Sequence, residues 1–572
     1  MNQKFLLLIT GVVLNIFIGS SQERVNLDLS SQPWSITLDR AAVWQNDELY
    51  LPPVDIKALP VNTPTGGWQL LKHPDKTGIN LPATVEEHLW GWNGQTFGVT
   101  GNYTGVSWFE TEVDIPAEWK DRRIAMNIGS VRFRAEIFVN HQLAGYDLVN
   151  STPFSIDITP FIEPGKKNVI TFRITDPNGN FNWKDSQVYT WGVYRTNPSH
   201  GFGGITGKVE LEATGKLYVK DVFIKNQPEP HAIEVEVRAA NETGASVTNK
   251  ELCLEIKEHP NGQTVYRKNV RLESLKEGDN LQTYQIKVPN AHLWSVDSPR
   301  LYDLKISLND DAVTERFGFR WFEIKDVKGD RQFFLNGKRL LLRGTHRHED
   351  HAGVAQAMTE DMMRREMRMM KDMGVNFIRL GHYQQSEIIL DLCDELGILV
   401  WEEIPWCRGG LGGDVYKKQA RRMLANMIVQ HHNHPAVIIW GLGNENDWPN
   451  DFNTFDKSAI RAFMKELHDM AHRLDDTRMT AIRRCEFCND IVDVYSPSIW
   501  AGWYRGVFTD YKSISEQEMQ KVKHFLHVEW GGDSHARRHS EDAFYNLKNI
   551  EAGKGGDERA GDASLYGGVP RA

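Results

Sequence analysis

Two glutamates stand where an apolar stretch of chain rarely keeps a charge. Glu445 ends the run AVIIWGLGNE that starts at Ala436, with Asn444 beside it, and Glu529 lies between Val528 and Trp530 at the end of HFLHVEW from His524. A carboxylate at the end of a buried strand is costly unless its surroundings use it. Its commoner fate is a structural ion pair with Arg or Lys. Two acids on separate strands can instead face one another and divide acid, base and nucleophile work. A gap of roughly 5–5.5 Å between them suits retaining glycoside cleavage, and one of roughly 6.5–9.5 Å suits inversion. Other polar residues end apolar runs in the same way: His346 and His348 after the leucines from Leu340, and Arg379 and His382 in VNFIRLGHY from Val375. A single polar strand end is usually a cap, whereas several that converge make a site.

The elements that must position these residues alternate. A short strand in RLLLRGTH from Arg339 precedes an amphipathic helix over TEDMMRREMRMMKDMG, with Thr359 as its N-cap and Gly374 as its stop. Further strands follow in VNFIRLGHY, ILVWEE from Ile398, the run ending at Glu445, MTAIRR from Met479, VDVYS from Val492 and HFLHVEW, with helices between the earlier ones. Repeated strand–helix alternation with buried strands predicts a parallel (β/α)8 TIM barrel over 323–572, whose strand C-termini share one mouth. An open doubly wound sheet would want a Gly-rich loop after its first strand, and RLLLRGTHRHED has none.

Upstream, period-two alternation reads as strands. GVSWFETEVDIP from Gly105 and NVITFRITDP from Asn168 belong to a jelly-roll β-sandwich over 23–219, and HAIEVEVRAAN from His231 and LYDLKISLND from Leu301 to an immunoglobulin-like β-sandwich over 220–322. Residues 1–22 have Lys4 before an apolar run from Phe5 to Ile18 and then small residues, the pattern of a secretory signal peptide. The expectation is an exported, periplasmic or extracellular protein. No later run is long enough to span a membrane. A net charge of −10 disfavours nucleic acid and anionic lipid, while 18 Trp among 572 residues suit large β-rich cores or stacking on sugar rings. The five Cys are scattered; Cys485 and Cys488 form a lone C-x-x-C without a His at ligand spacing, better read as buried thiols than as zinc ligands. A homo-oligomer is open.

The order of domains, together with LLLRGTHRHEDH from Leu340, NFIRLGHY from Asn376, HNHPAVIIWGLGNEN from His432 and HVEWGGDS from His527, resembles the family 2 glycoside hydrolases. These include β-galactosidases, β-glucuronidases and β-mannosidases. The likeness is nearest to exo-acting enzymes of bacteria that degrade algal galactans. It implies that Glu445 is the general acid/base and Glu529 the nucleophile. It also implies that Asn444 binds the sugar 2-hydroxyl, Arg379 holds the nucleophile ionised, and His348 and His382 bind sugar hydroxyls or stabilise the transition state. The expected division of labour is a raised pKa for the acid and a charge partner for the nucleophile.

Three departures from the family pattern matter. Trp406 and Arg408 stand where metal-dependent β-galactosidases carry a Glu and a His, so no active-site magnesium and no cofactor are expected. Trp500 replaces the glucuronidases' Tyr after the sixth strand and suggests ring stacking, with Trp448 or Trp530 as further candidates. After Glu529 the chain runs through GKGGDERAGDASLYGG with no readable eighth strand or closing helix, so the barrel is expected to be truncated at about seven strands. The leading expectation is a retaining exo-β-galactosidase acting on oligosaccharides. A β-glucuronidase is the alternative within the class, and a carbohydrate-binding protein with an inactive barrel is the alternative outside it.

Overall fold

The computed structural model describes residues 24–72, 77–89, 103–148, 151–177, 189–191, 194–196, 201–260, 262–449, 452, 454–502 and 506–530. The signal-peptide segment and residues 531–572, where the missing eighth strand was at issue, lie outside them.

Six strands of the C-terminal domain lie side by side in chain order: β1 (Gly344–Arg347), β2 (Phe377–Leu380), β3 (Leu399–Glu403), β4 (Val437–Asn444), β5 (Met479–Arg483) and β6 (Val494–Ser496). Each is parallel to the one before. Helices α1 (Glu360–Asp372), α2 (Glu387–Leu396), α3 (Asp414–His431) and α4 (Lys457–Leu474) carry the chain back between the first five, and α5 (Tyr511–Met519) follows β6. An order that never reverses is the arc of a barrel, since a doubly wound sheet has a switch point where the order turns back. Strands β2, β3 and β4 are buried along their whole length, as strands covered on both faces must be. In α1 the Thr359 side chain accepts from the Met362 N–H, Met363 and Met367 one turn apart face the core, and Gly374 takes φ 91° where the helix stops.

Two expected strands come out differently. The first begins only at Gly344, and Leu341 is exposed; Lys338–Arg339 pair instead with Asp330–Leu335 in a small antiparallel sheet. The HFLHVEW segment forms no continuous strand. It meets the sheet through one parallel bridge, Phe525 to Tyr495, after which the Val528 N–H donates to the Ser496 side chain. Strand β6 is three residues long and has little backbone left to continue a ladder.

The N-terminal domain packs a six-stranded sheet, centred on Gly105–Asp114 and Lys167–Asp176, against a four-stranded one around a core that includes Trp34, Phe109 and Phe172. The next domain opposes sheets of three and four antiparallel strands between Leu217 and Phe317, an immunoglobulin-like arrangement with Val235, Leu254 and Ile306 in its core. Both domains grip the barrel. Arg320 donates to the carbonyls of Pro435 (3.0 Å) and Val437 (2.7 Å), at the start of β4, and Arg422 of α3 bonds Asp147 through both terminal nitrogens. No helix among the described residues is long and apolar enough to cross a membrane.

Strands β3 and β4 approach closely at Gly441, where a Cβ would lie 2.3 Å from the Cβ of Glu403 and 2.4 Å from the Trp401 indole nitrogen. Gly441→Ala is expected to destabilise the barrel by about 1–3 kcal/mol, seen as a lower urea midpoint. An unchanged midpoint would show that the two strands part without loss.

Candidate active site

The residues at the mouth are set by strand register. In the parallel ladder His346 of β1 pairs with Arg379 of β2, and Arg379 with Trp401 of β3, so the residues that follow emerge together at the C-terminal ends. Arg379 is fully buried and spends its guanidinium on three elements. It holds Glu403 of β3 through Nε (3.0 Å) and Nη2 (2.7 Å), donates from Nη2 to the Asn444 side-chain oxygen (2.9 Å), and donates from Nη1 to Glu529 Oε2 (2.9 Å). Glu403 also accepts from the Trp401 indole (2.9 Å) and pairs with His382 Nδ1 (2.7 Å). Burial alone would raise its pKa; Arg379 and His382 together hold it below the usual carboxylate value.

Glu445 follows β4 with φ 54°, a left-handed conformation that a side chain with a Cβ rarely adopts and that tends to mark functional sites. Its amide is fixed by donation to the Arg483 carbonyl (2.9 Å). Its carboxylate bonds Arg483 Nη1 and lies 3.2 Å from Arg484 Nη1. The buried Arg483, at the end of β5, also brings Nε to within 3.1 Å of Glu529 Oε2. One guanidinium thus touches both candidate catalytic carboxylates, and a second, Arg379, supports Glu529 from beneath.

The electrostatics follow from these contacts. Burial would raise the Glu529 pKa, but Arg483 and Arg379 pull it down to about 2, so it is an anion at any ordinary pH. Glu445 is lowered as well: burial opposes, and Arg483 and Arg484 more than offset it. The raised pKa expected for the acid is therefore not what this arrangement produces, because two arginines stand against that carboxylate.

The histidines gather on the other side of the mouth. His346 and His348 stack with ring centroids 4.8 Å apart, and His382 packs edge-on to both. A ligand nitrogen from each lies within 4.8 Å of the others. Three imidazoles suit a borderline ion such as zinc and not magnesium, which prefers oxygen. Trp406 is buried with its indole donating to the Gly410 carbonyl (2.8 Å), and Arg408 lies over Trp448 (4.9 Å to the ring), so neither offers an oxygen ligand. Trp500 is half-buried four residues after the end of β6 and stacks against the Arg483 guanidinium at 5.6 Å, while Trp530 is largely exposed. Asn444 adds to its bond with Arg379 a contact from its amide nitrogen to the Cys407 sulfur (3.4 Å).

The sequence-named residues Asn444, Glu445, Glu529, Arg379, His382 and, through ring contacts, His348 thus come to one place, with Trp500 behind Arg483. Glu403, Arg483 and Arg484 were missed. Glu403 carried the same signal as Glu445, a charge ending the buried strand LVWEE; Arg483 ends MTAIR in the same way.

Comparison with known proteins agrees with this architecture. In chain order, the sugar-binding domain of glycosyl hydrolases family 2 matches residues 33–201, the glycosyl hydrolases family 2 domain matches 217–320, and that family's TIM barrel domain matches 324–547. The crystal structure of a Parabacteroides merdae β-glucuronidase is 52% identical over 96% of this chain and 66% of its own, with a TM-score of 0.73. A Bacteroides uniformis β-glucuronidase 3 is 40% identical, covering 91% of this chain and 63% of its own, at a TM-score of 0.71. A β-galactosidase of Thermoanaerobacter pseudethanolicus is 29% identical over 412 residues, 69% of this chain and 51% of its own length. The chain spans about half the length of the curated relatives it matches. With three consecutive domain matches laid over two sandwiches and a parallel barrel arc that ends in paired glutamates, the chain belongs to glycoside hydrolase family 2.

Proposed function

We propose that the protein is an exported exo-β-glycosidase that cleaves terminal sugars with retention, and that its preferred substrates are β-D-glucuronides. The observation that carries the reaction type is the pair of carboxylates, Glu445 and Glu529, held on one guanidinium at the barrel mouth. The sugar rests on likeness: the structure 52% identical to this chain is named a β-glucuronidase, while the β-galactosidase relative is 29% identical. The β-galactoside expected from sequence motifs is the second reading.

In the first step Glu529, kept ionised by Arg379 and Arg483, attacks the anomeric carbon and forms a glycosyl ester as Glu445 gives its proton to the departing oxygen. In the second, Glu445 takes a proton from water, which attacks the same carbon and releases Glu529. The arginines leave Glu445 in the protonation state of the second step, so binding of the sugar must loosen their hold before the first. Asn444, oriented by Arg379, is placed to bond the 2-hydroxyl, a contact that strengthens as the ring takes on oxocarbenium character. His348 and His382 line the opposite wall for the remaining hydroxyls, and Trp500 offers an apolar face.

Glu529→Ala should abolish turnover of every substrate. Glu445→Ala should lose on the order of 10²–10⁴-fold in kcat/KM on substrates with poor leaving groups and keep most of its kcat/KM on activated aryl glycosides, with kcat lowered on both because the second step has lost its base. Equal losses of kcat/KM on both substrate types would remove Glu445 as the acid, activity that survives both variants would move the chemistry away from the two glutamates, and absence of turnover in the parent would point to a binding protein with an inactive barrel.

Because Arg483 lowers both carboxyl groups, Arg483→Met should raise both pKa values. The acid limb of the kcat/KM profile, set by ionisation of Glu529, and the basic limb, set by deprotonation of Glu445, should both move to higher pH. A profile that keeps its position would separate Arg483 from the chemistry.

A panel of nitrophenyl β-glycosides should show kcat/KM highest on the glucuronide. A preference for the galactoside would establish the second reading.

A further inference from the structure

Away from the mouth, helix α4 places His468 and His472 one turn apart, facing the N-terminal ends of β5 and β6. Their rings lie 4.6 Å apart at 74° to one another. Asp493, the residue before β6, comes up beside them with Oδ2 2.9 Å from His472 Nε2. One ligand atom from each of the three residues lies within 4.8 Å of the others, and all three are part-exposed, so an ion can reach them from solvent.

Neighbouring groups orient these three side chains. The Thr480 hydroxyl lies 2.7 Å from His468 Nδ1; with the proton held there, the lone pair falls on Nε2. The backbone N–H of Thr480 (2.8 Å) and its hydroxyl (3.0 Å) both donate to Asp493 Oδ2 and fix the carboxylate. Asp469 and Asp475 add negative field at His472, while Lys465, the nearby cation at His468, is paired to Asp469 at 2.8 Å. Thr480 and Asp493 belong to the strand starts, the end of the barrel opposite the catalytic glutamates, where interactions serve stability.

We propose that His468, His472 and Asp493 form a binding site for a borderline divalent transition ion, zinc being the fitting example, with water completing a tetrahedron. Two imidazoles and one carboxylate match its donor preference, and two histidines at i and i+4 on one helix face are a recurrent way to supply them. Small rotations of the part-exposed rings draw the donors in around the ion. Bound there, the ion ties α4 to the sheet through Asp493, and its binding free energy adds to the stability of the barrel.

The test uses the whole protein, stripped with a chelator and titrated with zinc by calorimetry and with cobalt(II) by visible absorption. The parent should bind with the intense absorption of tetrahedral cobalt(II) and gain thermal stability from zinc. His472→Ala and the milder His468→Gln should each weaken binding by about tenfold or more while keeping the circular dichroism spectrum of the metal-free parent. His348→Ala, which breaks the separate histidine cluster at the mouth, should leave this binding intact. Absence of binding in the parent, binding unchanged in both α4 variants, or binding lost in His348→Ala would each overturn the site.

Discussion

Two guanidinium groups sealed inside the barrel end hold the site together. Arg379 and Arg483 are both fully buried, and between them they meet three carboxylates, those of Glu403, Glu445 and Glu529. Moving an arginine out of water costs several kcal/mol, recovered only when its donors find well-placed acceptors. Arg379 finds them on β3, at the end of β4 and at Glu529, which requires neighbouring strands in one register and the later chain returning to the same mouth. The same bonds that offset burial leave the candidate nucleophile as an anion supported on two sides, a reactive state achieved through structural ion pairs. The structural ion pair and the candidate catalytic pair, opposed as alternatives from sequence, are here one network.

The outer domains matter to this network through β4. Arg320, from the end of the immunoglobulin-like domain, binds the carbonyls of Pro435 and Val437 where β4 begins, and Asn433 just before it donates to the Val222 carbonyl. The far end of the same strand carries Asn444 and Glu445. A strand anchored at its base by another domain delivers its last side chains with little freedom, and placement errors on the order of 1 Å are enough to cost about a hundredfold in rate. The N-terminal sandwich supports α3 through the Arg422–Asp147 pair in the same manner.

How far the site was legible depended on the kind of signal. Glu445 and Glu529 could be read because a charge after an apolar run has few innocent explanations, and Arg379 and His382 shared one short run. Arg483 was passed over because MTAIRR ends in two adjacent arginines, which in one dimension look like a solvated basic pair. The structure separates them, with Arg483 buried between the glutamates and Arg484 half-exposed against Asp447 and Trp448. HFLHVEW was expected as the next strand of the strand–helix series, but a strand also needs a partner with free backbone groups, and the three residues of β6 supply one bridge.

By itself the sequence determined the class of each domain and the order of the barrel elements and singled out two glutamates, because hydrophobic periodicity, helix caps and misplaced charges are local properties of a chain. Only the tertiary structure decided what surrounds those glutamates. The pKa of Glu445 is lowered where the sequence argument expected it raised, since the field at a carboxyl group is the sum over whatever charges folding brings near it. Arg483 lies 38 positions along the chain from Glu445, and Arg379 is 150 from Glu529. Such separations become contact distances here because parallel strands, and the segment that follows them, close on one mouth, and no pattern within a single stretch of sequence encodes that closure.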